Sequence, residues 1–460
     1  MSVTLQESLE KLIQNPKQFT GNKNFPKKIH IYDETLRDGE QMPGVAFSPD
    51  QKVEIAKLLS ELGVDVILPA FIASSKSDQE AYKKILKSQQ SGGIRKEIEI
   101  ITLARANKKD IDLAAKITQE TGTDLAQVGI LILSTTSDLH LKYKLGKILL
   151  KYKGKPIQEW LKTPVSWYRK ANIDFIVEHI AYAKKLGFGS IEFAAEDASR
   201  GRRDYLIQWA KACQQAGGTR LCFSDTCGVF TPDAVDYYFK KLIRELPYLS
   251  ITAHFHNDFG LAAINTVQAL SHGVTHASIT ACGLGERAGN GSIHQIVMIL
   301  KELYGIDLPN FRYEKLWELR KLIEQYSGIP IQPHEPIIGN HVFSHESGIH
   351  TAGINIHPAI YQFLDEKIVG GKHAFVYGKH SGKAAILHIL EKNPILAKKY
   401  KNQLNDHLIN KTLSEIKNAR ESKIVEEGHR DFIDSYYDHL NYLGISEAEV
   451  LDILLLNLNH

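Results

Sequence analysis

Residues 251–260 read ITAHFHNDFG, a β-rich apolar run that carries two histidines one residue apart and is stopped by Asn-Asp and a glycine. Alternate side chains of a β-strand share a face, so His254 and His256 are expected to point the same way at a strand end. Such a pair is either two satisfied core histidines or half of a metal site, and further ligands decide between the two. Working outward, seven more runs of the same kind recur: IHIYD (29–33), VDVILP (64–69), IEIITLA (98–104), LAQVGILI (125–132), SIEFAA (190–195), RLCFSD (220–225) and HASITAC (276–282). Most are near-continuous apolar runs, as expected of parallel strands covered on both faces. The stretches between them are amphipathic. SPDQKVEIAKLLSELG (48–63) and TPDAVDYYFKKLIREL (231–246) each open on a hydroxyl-Pro cap signal. Eight strands alternating with helices predict an α/β fold, a (β/α)₈ TIM barrel. An open doubly wound sheet would usually place a Gly-rich turn after an early strand, and none stands there.

The repeat is interrupted once, by LKYKLGKILLKYKGKPIQEWLKTPVSWYRK (141–170), which holds nine Lys or Arg against the single acid Glu159. It reads either as a solvated, partly helical insertion or as a basic lid near a phosphate-bearing cofactor. After residue 305 the alternation ends. FRYEKLWELRKLIEQYSG (311–328) is helical, a Gly- and His-rich irregular segment follows (329–361), and from about 383 the pattern is helical and highly charged. The expected division is an N-terminal extension (1–24), a catalytic barrel (25–305), a linker and active-site-completing subdomain (306–390) and a helical C-terminal subdomain (391–460).

Composition narrows the function classes. With 460 residues, 43% hydrophobic and 24% charged, the chain falls among ordinary soluble globular proteins. A formal charge of +3 gives no reason to expect nucleic acid or a membrane surface as partner. Cys213, Cys222, Cys227 and Cys282 form no C-x-x-C pair. They read as reduced thiols, and with no signal-like or spanning apolar stretch they point to a cytoplasmic protein.

In barrels of this kind the chemistry sits at the C-terminal ends of the strands. DETLRDGEQ (33–41) brings Asp33, Arg37 and Asp38 to that rim, strand five leads into Glu196 and Asp197, and strand six into Asp225 and Thr226. Strand seven brings His254 and His256, and GLGERAGNG (283–291) brings Asn290. Asp38, His254, His256 and the Asn290 amide oxygen make a mixed N/O ligand set with open positions, suited to a catalytic divalent ion (Mg²⁺, Mn²⁺, Zn²⁺ or Co²⁺). Such an ion would act as a Lewis acid toward a chelated 2-oxo acid. Arg37 would stabilise charge on the keto oxygen; its other reading is an ion pair with Asp33 or Glu40.

DETLRDGEQ, HFHNDFG and GLGERAGN together resemble the metal-dependent Claisen-condensing synthases: the isopropylmalate, homocitrate and citramalate synthases of the barrel superfamily that also holds hydroxymethylglutaryl-CoA lyase. The likeness continues through EFAAEDASR, SDTCGVFTP, HESGIH and GKHSG, over roughly residues 29–385. It implies an acyltransferase that condenses acetyl-CoA with a 2-oxo acid and hydrolyses the thioester. Arg37 matches the catalytic arginine, Glu196 the active-site glutamate and Thr226 the threonine that binds the substrate carboxylate. His350 matches the histidine that reaches the site from a partner subunit, where it is a candidate base, and Tyr361 stands where relatives keep a tyrosine for the same purpose. A homodimer with exchanged C-terminal segments is implied. Arg105, at the end of strand three, would either hold a second substrate carboxylate, favouring 2-oxoglutarate and a homocitrate-type product, or form a surface salt bridge. Isopropylmalate, citramalate and Re-type citrate synthesis stay open.

Two positions depart from the family's pattern. Leu68 stands where relatives carry a glutamate in a segment like IEAGFP, and Ala194 where a serine often touches the oxo acid. These departures motivate a rival reading, a non-catalytic binding or regulatory descendant of the family. Ser224, where the carboxyltransferases of this barrel type bear a lysine, and a loop after strand eight without the lyases' cysteine both favour a synthase. The region after 385 lacks the β-α repeat of the leucine-sensing domain of many isopropylmalate synthases, so feedback through such a domain is not expected.

Overall fold

The computed structural model describes residues 7, 12, 14, 16–20, 23–399, 405–422, 426–441, 444–445 and 447–458; the remainder of the expected N-terminal extension lies outside them. Two compact units emerge, one of residues 21–312 and 319–329, the other of 1–20, 313–318 and 330–460.

The first unit is a closed parallel barrel of eight strands paired in chain order. They are β1 (His30–Asp33), β2 (Val66–Ile67), β3 (Glu99–Arg105), β4 (Gly129–Thr135), β5 (Ser190–Glu196), β6 (Arg220–Asp225), β7 (Ser250–Phe255) and β8 (His276–Ile279). β8 closes the ring on β1, with His30 opposite His276 and Asp33 opposite Ile279. All eight expected strands form, with three larger differences in extent, the first being β2, which is only Val66–Ile67 of the expected 64–69. Leu125–Gln127 is a 3-10 turn, because the Asp124 carboxylate accepts from the Ala126 N–H and bends the chain; β4 starts at Gly129. β8 stops at Ile279, since the chain turns again at Ala281–Gly283.

The cap signals act as read. Ser48 and Gln51 form a reciprocal capping box at the helix Pro49–Leu62, and Thr231 accepts from Ala234 N at the helix Pro232–Glu245. The basic insertion is helical over Asp138–Tyr143 and Gly146–Tyr152 and rejoins the repeat in the helix Val165–Leu186.

Alternation along the strands fills the barrel in layers. At the N-terminal end, Arg220 binds Glu192 at 3.0 Å and Glu99 at 2.9 Å, and Thr252 donates to Glu192 at 2.7 Å. Above this ionic layer lies an apolar one: Tyr32, Val66, Leu68, Ile101, Leu103, Leu131, Ala194 and Cys222. The next inward residues, at the C-terminal rim, build the site.

The second unit holds a two-stranded parallel sheet, Ser344–His345 with Ala374–Phe375, and helices Gly348–Ile356, Lys383–Lys392, Pro394–Lys399, Asp406–Glu421, Glu426–Asn441 and Glu447–Leu458. Among the described residues no helix is long and apolar enough to cross a membrane.

Gly63 tests how the barrel's first helix ends. It sits at φ 105°, and a Cβ there would lie 2.1 Å from the Asn310 carbonyl oxygen, whereas Gly92, also left-handed at φ 83°, faces open space. Gly92→Ala should cost about 1 kcal/mol, the left-handed penalty alone, and Gly63→Ala about 2–3 kcal/mol because a backbone clash adds to it. Urea unfolding compares the two. Equal losses would mean that the approach of Asn310 is not what the glycine serves.

Candidate active site

His254 and His256 lie buried at the end of β7 with their Nε2 atoms 3.2 Å apart. Asp38, also buried, faces both: its Oδ2 is 3.5 Å from His254 Nε2 and 3.9 Å from His256 Nε2. One donor atom from each of the three lies within 4.8 Å of the others. Asn290 is brought alongside by a β-bridge to His256 and turns its Nδ2 toward Asp38, which leaves its Oδ1 buried without a partner. A rotation of that amide exchanges the two atoms and places an oxygen among the other donors, where the sequence reading expected one.

The surroundings settle the charge states. Burial pushes both imidazoles down to about 4, so they are neutral at pH 7. Burial works against the Asp38 carboxylate too, but Arg37 and the two histidines outweigh it and hold it down at about 2. His254 Nδ1 lies 2.9 Å from Ser278 Oγ and 3.3 Å from Glu34 Oε1. A proton held there leaves the Nε2 lone pair free toward Asp38 and His256. Two neutral imidazoles and a carboxylate converging at these distances fit a divalent cation.

Arg37 lies beside this cluster, ion-paired to Glu34, with its Nη1 3.3 Å from Asp38 Oδ1. The expected alternative partners are engaged elsewhere. Asp33 accepts from the Thr35 N–H and hydroxyl, and Glu40 binds Lys52 at 2.6 Å.

These residues line one end of a cavity of about 850 Å³. Phe71, Leu103, Leu131, Leu133, Ala194 and Cys222 form an apolar floor, and Glu196 and Thr226 also face the cavity. Burial raises the Glu196 pKa, but His140 and Lys144 outweigh it and keep the carboxylate below its ordinary value; Lys144 Nζ is 2.6 Å from Oε1. Thr226 Oγ1 accepts from the Asp197 N–H at 2.8 Å, fixing a residue held at φ 58°. Arg105 lines the cavity too, but its guanidinium forks onto Asp110 at 2.7 and 3.0 Å. This is the salt bridge, the second of the two expected roles. Leu68 is fully buried in the apolar layer. His350 and Tyr361 belong to the second unit, where their rings stack at 4.1 Å and both are exposed.

Glu34, Ser278, His140 and Lys144 were not singled out from sequence. Glu34 and Ser278 could have been found by continuing the two-residue period of β1 and β8 toward the rim. His140 and Lys144 are four apart at the start of the basic stretch, a helical spacing that brings both to one acid.

Known proteins resemble this chain over most of its length. Residues 28–323 match the family model described as HMGL-like, and residues 337–423 match the one described as homocitrate synthase post-HMGL domain-like. The chain is 40% identical over 365 residues to the 2-isopropylmalate synthase of Methanocaldococcus jannaschii, covering 79% of this chain and 63% of that one. It is 36% identical over 412 residues to the 2-isopropylmalate synthase of Sulfurisphaera tokodaii, covering 89% and 94%. Its identity to homocitrate synthase AksA of Methanopyrus kandleri is 37%, covering 80% and 83%. Among solved structures, an HMG-CoA lyase from Bacillus subtilis superposes with a TM-score of 0.52 at 23% identity over 67% of this chain and 96% of that one, a likeness of fold.

The donor cluster predicts its own second-rank support. Titration calorimetry with Mn²⁺ should find no binding in His254→Ala. In Glu34→Gln the affinity should be roughly 10–100-fold weaker, as for other residues that orient a metal-binding histidine. Unchanged affinity in both variants excludes the cluster as the cation site.

Proposed function

Because the chain belongs to the HMGL-like family, we propose that its barrel condenses acetyl-CoA with a 2-oxo acid and water to give a 2-hydroxy diacid and free CoA. The observation that carries this reading is the convergence of Asp38, His254, His256 and Arg37 at one end of a cavity whose floor is apolar. A divalent cation held by Asp38, His254 and His256 would supply Lewis acidity to the keto group of the bound acid. Asn290, its amide turned, is the fourth candidate donor.

The chain's own residues do the rest. Arg37 faces the position of the keto oxygen and stabilises the negative charge that builds there as the carbon–carbon bond forms. Its guanidinium is held in place by Glu34, so little reorganisation is needed. Thr226 presents its hydroxyl to the substrate carboxylate. Glu196, kept ionised by Lys144 and His140, is an acceptor at the acyl end of the cavity. The base that removes a proton from the acetyl methyl group is His350 of a second copy, backed by Tyr361; imidazole suits that task near neutral pH. The exposed, stacked His350–Tyr361 pair outside the barrel unit supports a homodimeric, shared site.

Substrate choice follows from the floor. Leu103, Leu131, Leu133 and Ala194 offer no partner to a second carboxylate, and Arg105 is committed to Asp110. A branched aliphatic acid such as 2-oxoisovalerate therefore fits better than 2-oxoglutarate, making the reaction that of a 2-isopropylmalate synthase. Homocitrate synthesis is the second reading, favoured by the match of residues 337–423; a second carboxylate would then be met by Arg105 turned from Asp110 or by another polar lining group such as Ser134 or His179.

Thiol release measured with acetyl-CoA and a panel of 2-oxo acids should show kcat/KM at least about 10-fold higher for 2-oxoisovalerate than for 2-oxoglutarate. A chelator should abolish the activity. The reverse preference installs the second reading, and no thiol release with any acid removes both. Mixed Arg37→Ala and His350→Ala subunits, each inactive alone, should recover up to a quarter of the parent activity on random exchange; verified heterodimers without activity exclude the shared site.

A further inference from the structure

The stretch that interrupts the barrel repeat carries a feature that the condensation does not use. Its short helix Gly146–Tyr152 places Ile148 and Tyr152, four residues apart, on the cavity wall. One position back on the same helix stand Lys147 and Lys151, also four apart, and Lys155 follows its end. All three are exposed, and among the described residues none has a carboxylate partner. Other lysines of the stretch do: Lys144 binds Glu196 and Lys153 binds Asp174. Lys147 and Lys155 instead lie over the rings of Trp160 and Trp167, at 5.1 and 4.9 Å. Two acids of the following helix are already taken, Glu178 by Lys108 and Tyr152 and Asp174 by Lys153, and Glu159, the single acid of the stretch, makes no ion pair with the three lysines.

The short helix thus presents an apolar wall to the cavity, and two of its lysines with a third just past its end form a row without carboxylate partners among the described residues. Like charges held together repel, so such a row is suited to a polyanion. Acetyl-CoA has the matching layout: a thioester at one end, an uncharged pantetheine arm, and a nucleotide bearing a diphosphate and a 3′-phosphate at the other.

We infer that Lys147, Lys151 and Lys155 bind the 3′-phosphoadenosine diphosphate of acetyl-CoA at the cavity mouth, with Ile148 and Tyr152 lining the path of the arm. The inference rests on the condensing reading above for the identity of the anion.

The test compares the parent with Lys147→Gln/Lys151→Gln/Lys155→Gln, and with the triple Lys→Arg variant as a control for folding. CoA binding by calorimetry and KM for acetyl-CoA should each weaken roughly 10-fold in the Gln variant and recover in the Arg variant. The parent's affinity should fall with added salt more steeply than the variant's. KM for acetyl-pantetheine, which lacks the nucleotide, should stay within twofold. Equal CoA affinities in parent and Gln variant, or an equal loss with acetyl-pantetheine, overturns the inference while leaving the condensing activity standing. A parent that binds CoA through these lysines yet condenses no acid overturns the activity alone, and a parent that does not bind CoA overturns both.

Discussion

Alternate residues of eight parallel strands closed into a ring have nowhere to point but the barrel axis, and everything else in this molecule depends on that constraint. It stacks Glu99, Glu192 and Arg220 at one end, Tyr32, Leu68, Leu103, Leu131 and Ala194 in the middle, and the cation-site residues at the other end. His254 is two residues beyond Thr252, which donates to Glu192 in the ionic layer. The same strand therefore serves both the structural plug and the chemistry, and its register against β6 and β8 sets where the imidazole stands.

The layers also create the electrostatics of the site. The apolar middle keeps water from the underside of His254, so protonation is costly there and the ring stays a neutral donor. At the rim, Asp38 and Arg37 bring opposite charges beside the ring, 3.3 Å from each other. Glu34 links the two halves of this arrangement, pairing with Arg37 on one side and facing His254 Nδ1 on the other. His254 and the Arg37 guanidinium are thereby held at fixed separation by a single carboxylate.

Much of this was legible in the sequence because it follows from a period of two. Apolar runs gave the strands, and the His-x-His spacing gave the pair. Asp38 and Asn290 followed from lying just past strand ends. What stayed hidden depends on the path of the chain between elements. The turn at Leu125–Gln127 is fixed by one Asp124 hydrogen bond inside an apolar run, so hydropathy could not separate it from β4. The engagement of Arg105 with Asp110 depends on how the following helix starts, at Asn107, and the partner of Arg37 on which of four nearby acids is left unengaged. Lys144 was read as part of a charge run and His140 lies just before it; only the fold brings them to Glu196.

β2 is laddered through only Val66 and Ile67, and one further backbone bond, from the Leu68 N–H to the Asp33 carbonyl at 3.0 Å, ties Leu68 to β1. The side chain at 68 is held inward by that bond and packs in the apolar layer with Tyr32, Leu103 and Leu131. A buried acid in its place would need a partner that this apolar layer does not offer, so the aliphatic side chain and its dry surroundings go together.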